Sequence, residues 1–187
     1  MKKFMLPLAL GVSLLGMGLI NQTKSSAQGK TSPKLVQTAK KSAPAFKLKN
    51  KKDKIVSLSD YKGKKVYINV WATWCDPCMQ EIPGLKKVYQ AYKGKKNFVF
   101  LSVTSPSDLK YQNNNPIDKE RSTILAKAKK KGITYPILYD YKDNFVKAYG
   151  IRSIPTHIFI NSDGSLSQKI AGGLDESSLK YYLNKLK

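Results

Sequence analysis

The feature that most constrains this chain is a cysteine pair, Cys75-Asp76-Pro77-Cys78, placed where one periodicity gives way to another. Before it, Val66-Tyr67-Ile68-Asn69-Val70-Trp71 is β-branched and aromatic and carries no charge, as a central strand covered on both faces requires. After it, Cys78, Ile82, Leu85, Tyr89 and Tyr92 recur at helical spacing and mark one face of an amphipathic helix, with Gly94 as its expected stop. Pro77 falls in the first turn, where a missing N–H costs nothing. Pro83 lies inside the helix and is expected to kink it.

At such a junction Cys75 would sit at the helix N-terminus, near unpaired N–H groups and the positive end of the dipole. That position favours thiolate and can lower a cysteine from about 8.5 to about 3.5–7.5. Cys78 lies one turn deeper on the same face, close enough to bond Cys75 and to resolve a mixed disulfide formed there. Two other readings stay open. A zinc knuckle wants four ligands, and His157 is the one remaining donor of the usual nitrogen or sulfur kind. A purely structural bridge across so short a loop would constrain little unfolded-chain entropy.

Around this junction, Ala45–Leu48 and Ile55–Leu58 read as short edge strands, with a turn at Asp60–Lys64. Phe98–Val103 is a second buried strand and Ser105–Pro116 a loop. Lys119–Lys131 suits a helix, Pro136–Tyr139 a strand and Asn144–Tyr149 a short helix. Thr156–Ile160 and Leu166–Ile170, joined through Asn161-Ser162-Asp163-Gly164, form a hairpin, and Asp175 caps a last helix ending near Leu186. The alternation gives an α/β fold, a central sheet covered by helices with an antiparallel edge.

Residues 1–27 carry Lys2 and Lys3, an apolar run from Phe4 to Ile20, and small residues at Ser25-Ser26-Ala27, the pattern of a secretory signal peptide. The run is short for a bilayer span, so the alternative is an uncleaved anchor. No cysteine follows it to carry a lipid, so a lipoprotein is not expected. Residues 28–43 are rich in Lys, Ser and Thr and read as a flexible basic linker, leaving 44–187 as the folded domain. Of 187 residues, 34 are Lys or Arg and 12 Asp or Glu, a formal charge of +22. The lysines are spread through every segment, without the ordered aromatic interleaving of a nucleic-acid site, so no specific nucleic acid is expected.

Trp71-Ala72-Thr73-Trp74-Cys75-Asp76-Pro77-Cys78, with Pro83 five residues on, resembles the active-site segment of the thioredoxin superfamily. Gly150-Ile151-Arg152-Ser153-Ile154-Pro155-Thr156 resembles the segment holding that superfamily's cis-proline, and Gly164 and Gly172 match two further glycines. The extra helix and strand between Val103 and Asn144, Asn69 in place of a buried aspartate, and Glu81 three residues past Cys78 make it similar to the extracytoplasmic TlpA/ResA-like branch. The resemblance implies a thioredoxin-like fold: a mixed sheet flanked by helices, with the helix and strand inserted between the second core strand and the cis-proline hairpin. It implies thiol-disulfide exchange through Cys75 and Cys78 with no cofactor beyond that redox-active disulfide and no metal. It also implies a cis Ile154–Pro155 bond facing Cys75, with the Ile154 backbone and Trp74 meeting the substrate.

Resolution by Cys78 needs a base; Asn69 cannot accept a proton, whereas a buried Glu81 could. The bland alternative makes Glu81 an ordinary first-turn acid. His157 reads as a packed or surface histidine. Asp76 and Pro77 tune the dithiol–disulfide balance. An anionic Asp76 opposes the Cys75 thiolate and favours the disulfide, so the dithiol would be a reductant of extracytoplasmic client proteins; the resemblance then implies recycling by a membrane electron carrier. An oxidase with the same site is the alternative. A third reading makes the basic surface a ligand for anionic lipid or cell-wall polymer, the fold being its scaffold.

Overall fold

The structure, a computed structural model, describes residues 41–187. The expected signal segment and most of the expected linker lie outside the described residues. The strands are β1 (Lys47–Lys49), β2 (Ile55–Ser57), β3 (Lys65–Val70), β4 (Phe98–Thr104), β5 (Ile137–Tyr139), β6 (Thr156–Ile160) and β7 (Leu166–Ala171). The helices are α1 (Asp76–Tyr92), α2 (Arg121–Lys131), α3 (Asn144–Ala148) and α4 (Glu176–Asn184). The strands form one sheet in the order β2-β1-β5-β4-β3-β6-β7. β3, β4 and β5 run parallel, and the remaining neighbours are antiparallel. This is the mixed, helix-flanked sheet of a thioredoxin-like fold, and the inserted α2 and β5 stand where expected. In the sheet β5 separates β1 from β4, touching β1 at the single pair Lys49–Tyr139.

Alternation along β3 sorts its side chains onto two cores. Val66, Ile68 and Val70 join Leu101, Val103, Ile158 and Ile160 under Phe145 and Tyr149. On the opposite face Tyr67, Phe100 and Phe159 pack against Leu85 and Val88 of α1 and Leu179 and Leu183 of α4. A third cluster joins Trp71, Cys75 and Cys78 to Ile124 and Ala128 of α2 and to Tyr139. Each large side chain buried in these clusters stabilises the fold by about 1.5–3 kcal/mol relative to exposure.

Several local expectations are corrected. Leu58–Tyr61 is a 3-10 turn rather than the end of a strand, held by the Ser57 N–H donating to Asp60 Oδ2 at 2.8 Å. Leu109–Tyr111 forms a second such turn inside the expected loop. As expected, helix α1 contains Pro83, which is exposed, and it caps on Lys93 directly before Gly94. Val88 is fully buried on the α1 stripe, while Tyr89 and Tyr92 are half-buried. The chain is already paired within the expected linker: the Leu166 N–H donates to Lys41 O at 2.8 Å and Ala43 N–H to Gly164 O at 3.0 Å.

Candidate active site

Strand β3 delivers Trp71 and the turn Ala72–Trp74 to the start of α1, and Cys75 is the N-cap of that helix. Its Sγ accepts the Cys78 backbone N–H at 3.2 Å, so an otherwise orphaned helix donor points at the sulfur. The two cysteines are bonded to each other, Cα to Cα 5.3 Å. Cys78 is fully buried, and Cys75 is only 3% exposed. Cys75 nevertheless forms part of the wall of an open cleft of about 470 Å³, with Trp74, Asp76, Pro77, Arg152 and Ile154 around it. A partner sulfur must therefore enter that cleft to reach it.

The opposite wall is the Ile151–Ile154 loop. The Ile154–Pro155 peptide is cis, as the resemblance implied. Ile154 packs against the Cys75–Cys78 cluster. Trp74 is 60% exposed beside Cys75, and its Nε1 donates to Ile117 O at 2.8 Å. Trp71 is core. Asp76 is exposed, with no ion-pair partner among the described residues.

One turn beyond Cys78, Glu81 is turned into the protein and is 8% exposed. Its Oε1 accepts from Asn69 Nδ2 at 2.8 Å, and its Oε2 accepts from the Leu174 N–H at 3.2 Å. His157 Nε2 lies 3.2 Å from the same Oε2, and Nδ1 meets the Tyr67 hydroxyl at 2.7 Å. These contacts follow from register: Asn69 and His157 are cross-strand partners of β3 and β6, and Tyr67 lies two residues along β3 on the same face. Burial pushes the Tyr67 and Tyr135 hydroxyls well above their ordinary range, and the nearby Glu81 charge adds to it. The structure thus groups Asn69, Glu81 and His157, and His157 is fully buried rather than at the surface. Its place opposite Asn69 is set by the β3–β6 register, for which the sequence carries no local signal.

Sequence reasoning missed Asp118. Buried at the end of the loop before α2, it accepts from Thr73 N–H at 3.0 Å, Thr73 Oγ1 at 2.6 Å, Thr104 Oγ1 at 2.9 Å and its neighbour Lys119 N–H at 2.8 Å. It ties the turn just before Cys75 to the end of β4.

Residues 38–183 match the Redoxin family. The chain is 31% identical over 145 residues to the thiol-disulfide oxidoreductase ResA of Geobacillus kaustophilus, covering 78% of this chain and 76% of that protein. Among solved structures it is similar to the exposed lipoprotein thioredoxin Etrx1 of Streptococcus pneumoniae, at 30% identity and TM-score 0.61 over 76% of this chain and 99% of that one. StoA from Bacillus subtilis shares the fold, with TM-score 0.58 at 23% identity over 75% of this chain and 96% of the other.

Proposed function

Since the chain belongs to the Redoxin family and is a thiol-disulfide oxidoreductase of the ResA type, we propose that it is a reductase of client-protein disulfides working outside the cytoplasm. The observation that carries the direction is Asp76: an exposed carboxylate between the two cysteines, next to the sulfur that must ionise. It disfavours the Cys75 thiolate, hence the dithiol, and makes the reduced form donate electrons readily. The extracytoplasmic setting is supported by the signal-like residues 1–27.

In the reductive half-reaction the Cys75 thiolate attacks one sulfur of a client disulfide held against Trp74 and the Ile154 backbone. The client S–S bond breaks, and its second sulfur leaves as a thiolate and is protonated. Cys78 then gives its proton to Glu81 and attacks Cys75 Sγ. The mixed disulfide breaks, the remaining client sulfur leaves and takes a proton, and Cys75–Cys78 closes. Two electrons pass to the client, and a membrane electron carrier restores the reduced pair. The charge of +22 supports loose attraction to anionic lipid or cell-wall polymer around that cycle.

The rival direction, oxidation of client thiols, draws support from the Cys78 N–H aimed at Cys75 Sγ, which stabilises a thiolate. The midpoint potential separates the two: a value near about −300 mV supports the reductase, and one near about −120 mV overturns it. The exchange chemistry is tested with Cys78→Ala, which should accumulate Cys75-linked mixed disulfides, whereas an absence of adducts counts against the mechanism.

A further inference from the structure

The exchange mechanism uses Cys78 and Glu81 and leaves one buried titratable side chain unexplained. His157 is fully buried, yet its Nε2 has no well-aligned hydrogen-bond partner among the described residues. It stands 3.2 Å from Glu81 Oε2, close enough for a strong electrostatic contact but off the line of a hydrogen bond. We propose that His157 is the positioning residue for proton transfer in this site, its Nε2–H holding Glu81 as the ionised acceptor of the Cys78 proton. The proposal rests on the reading of Glu81 as that acceptor.

The tautomer follows from Tyr67. Its hydroxyl is buried, and the His157 Nδ1 at 2.7 Å is its one acceptor among the described residues. A buried phenol that keeps its proton donates it, so Nδ1 accepts. A neutral imidazole then carries its hydrogen on Nε2, which faces the carboxylate. The Tyr67–His157–Glu81 chain therefore presents an N–H dipole 3.2 Å from Glu81 Oε2, beside the Asn69 amide and the Leu174 N–H that hydrogen-bond the carboxylate. The groups facing Glu81 are Tyr67 and Asn69 from β3, His157 from β6, the Leu174 N–H after β7, Tyr135 before β5, and Cys78 on its own helix. In the interactions described, no lysine or arginine faces Glu81. N–H dipoles directed at a carboxylate stabilise its charged form, which is the form that takes the Cys78 proton.

The test isolates the resolving step. Reduced protein mixed with 5,5′-dithiobis(2-nitrobenzoate) releases one thionitrobenzoate in a concentration-dependent phase as Cys75 attacks. A second leaves in a concentration-independent phase as Cys78 displaces it, and that phase is followed against pH. His157→Leu should move its acid limb upward by about one pH unit, about tenfold slower on that limb and equal to the parent protein above it. His157→Gln, which retains an N–H near the Nε2 position, should return the limb towards the parent value. Tyr67→Phe, which frees the tautomer, should move it in the same direction as His157→Leu. Long-range 15N–1H correlation spectra of the reduced parent should show the Nε2–H tautomer.

An unchanged acid limb in both His157→Leu and Tyr67→Phe, or an Nδ1–H tautomer, overturns the proposal. Glu81→Gln separates this from the premise. If that variant leaves the second phase untouched, Glu81 is not the acceptor and the underlying reading fails. If it slows the phase while the His157 and Tyr67 variants do not shift it, only the role of His157 falls.

Discussion

Removing the Asp118 side chain should loosen the catalytic turn while leaving both cysteines in place. The carboxylate is 7% exposed and takes two donors from Thr73, one from Thr104 and one from Lys119. A hydrogen bond to a charged group contributes about 1.5–3 kcal/mol, and a buried donor left unpaired costs about 1–3 kcal/mol. These terms are not additive, and desolvating the acid offsets part of them, so Asp118→Ala should cost about 3 kcal/mol. At about 2–4 °C per kcal/mol for a chain of this size, that is a fall in melting temperature of about 6–12 °C. Asp118→Asn keeps one acceptor oxygen and should fall between. Urea unfolding gives the free energies, and the bimolecular thionitrobenzoate phase gives Cys75 reactivity. If Asp118→Ala unfolds within about 0.5 kcal/mol of the parent protein, and Cys75 reacts at the parent rate, the anchoring argument is wrong.

Two further outcomes follow from charge. Asp76→Asn removes the anion beside Cys75 and should raise the midpoint potential by about 30 mV, the equivalent of about one pKa unit on the thiol; a fall, or no change, refutes the tuning role. Burial pushes the Asp140 carboxyl above its ordinary range against the lowering effect of the Phe145, Val146 and Tyr141 N–H groups, with Asp143 adding to the rise. The folded state thus binds that proton more tightly than the unfolded chain, so its contribution is full below about pH 4 and is lost as pH rises through the folded value. Asp140→Asn should flatten that decline in urea midpoints measured from pH 4 upward, and a parent-like slope in the variant excludes it.

What could be read beforehand depended on how local each signal was. The uncharged run of β3 and the helical stripe of α1 are short-range patterns, and the site they frame was legible with them. The position of Glu81 was legible because one helical turn separates it from Cys78. His157 was not, because its fate depends on register between β3 and β6, 88 residues apart for the Asn69–His157 pair. Asp118 was hidden for the same reason: its partners Thr73 and Thr104 lie 45 and 14 residues away, and nothing in a loop acid announces them. The end of α1 was legible to within a residue, because the helix caps on Lys93 directly before Gly94.

The polar strip that begins at Glu81, one turn beyond Cys78, interrupts the apolar face shared by β3, α1 and α4, which is otherwise packed with Leu85, Val88, Phe100 and Phe159. Local rules are broken at functional sites and compensated elsewhere, so the strip invites a test of what it is for. Replacing buried charged or polar groups together by apolar ones of similar volume is often neutral or stabilising, by about 1–4 kcal/mol, whereas removing one leaves its partners unpaired. The combined variant Tyr67→Phe, Asn69→Leu, Glu81→Met and His157→Leu strips every side-chain member at once, leaving only the half-buried Leu174 N–H to find water. It should unfold at the parent urea concentration or above, while the Cys78 resolving phase slows sharply and Cys75 attack continues. A combined loss of several kcal/mol would instead make the strip a structural network, and its place beside the resolving cysteine would need another explanation.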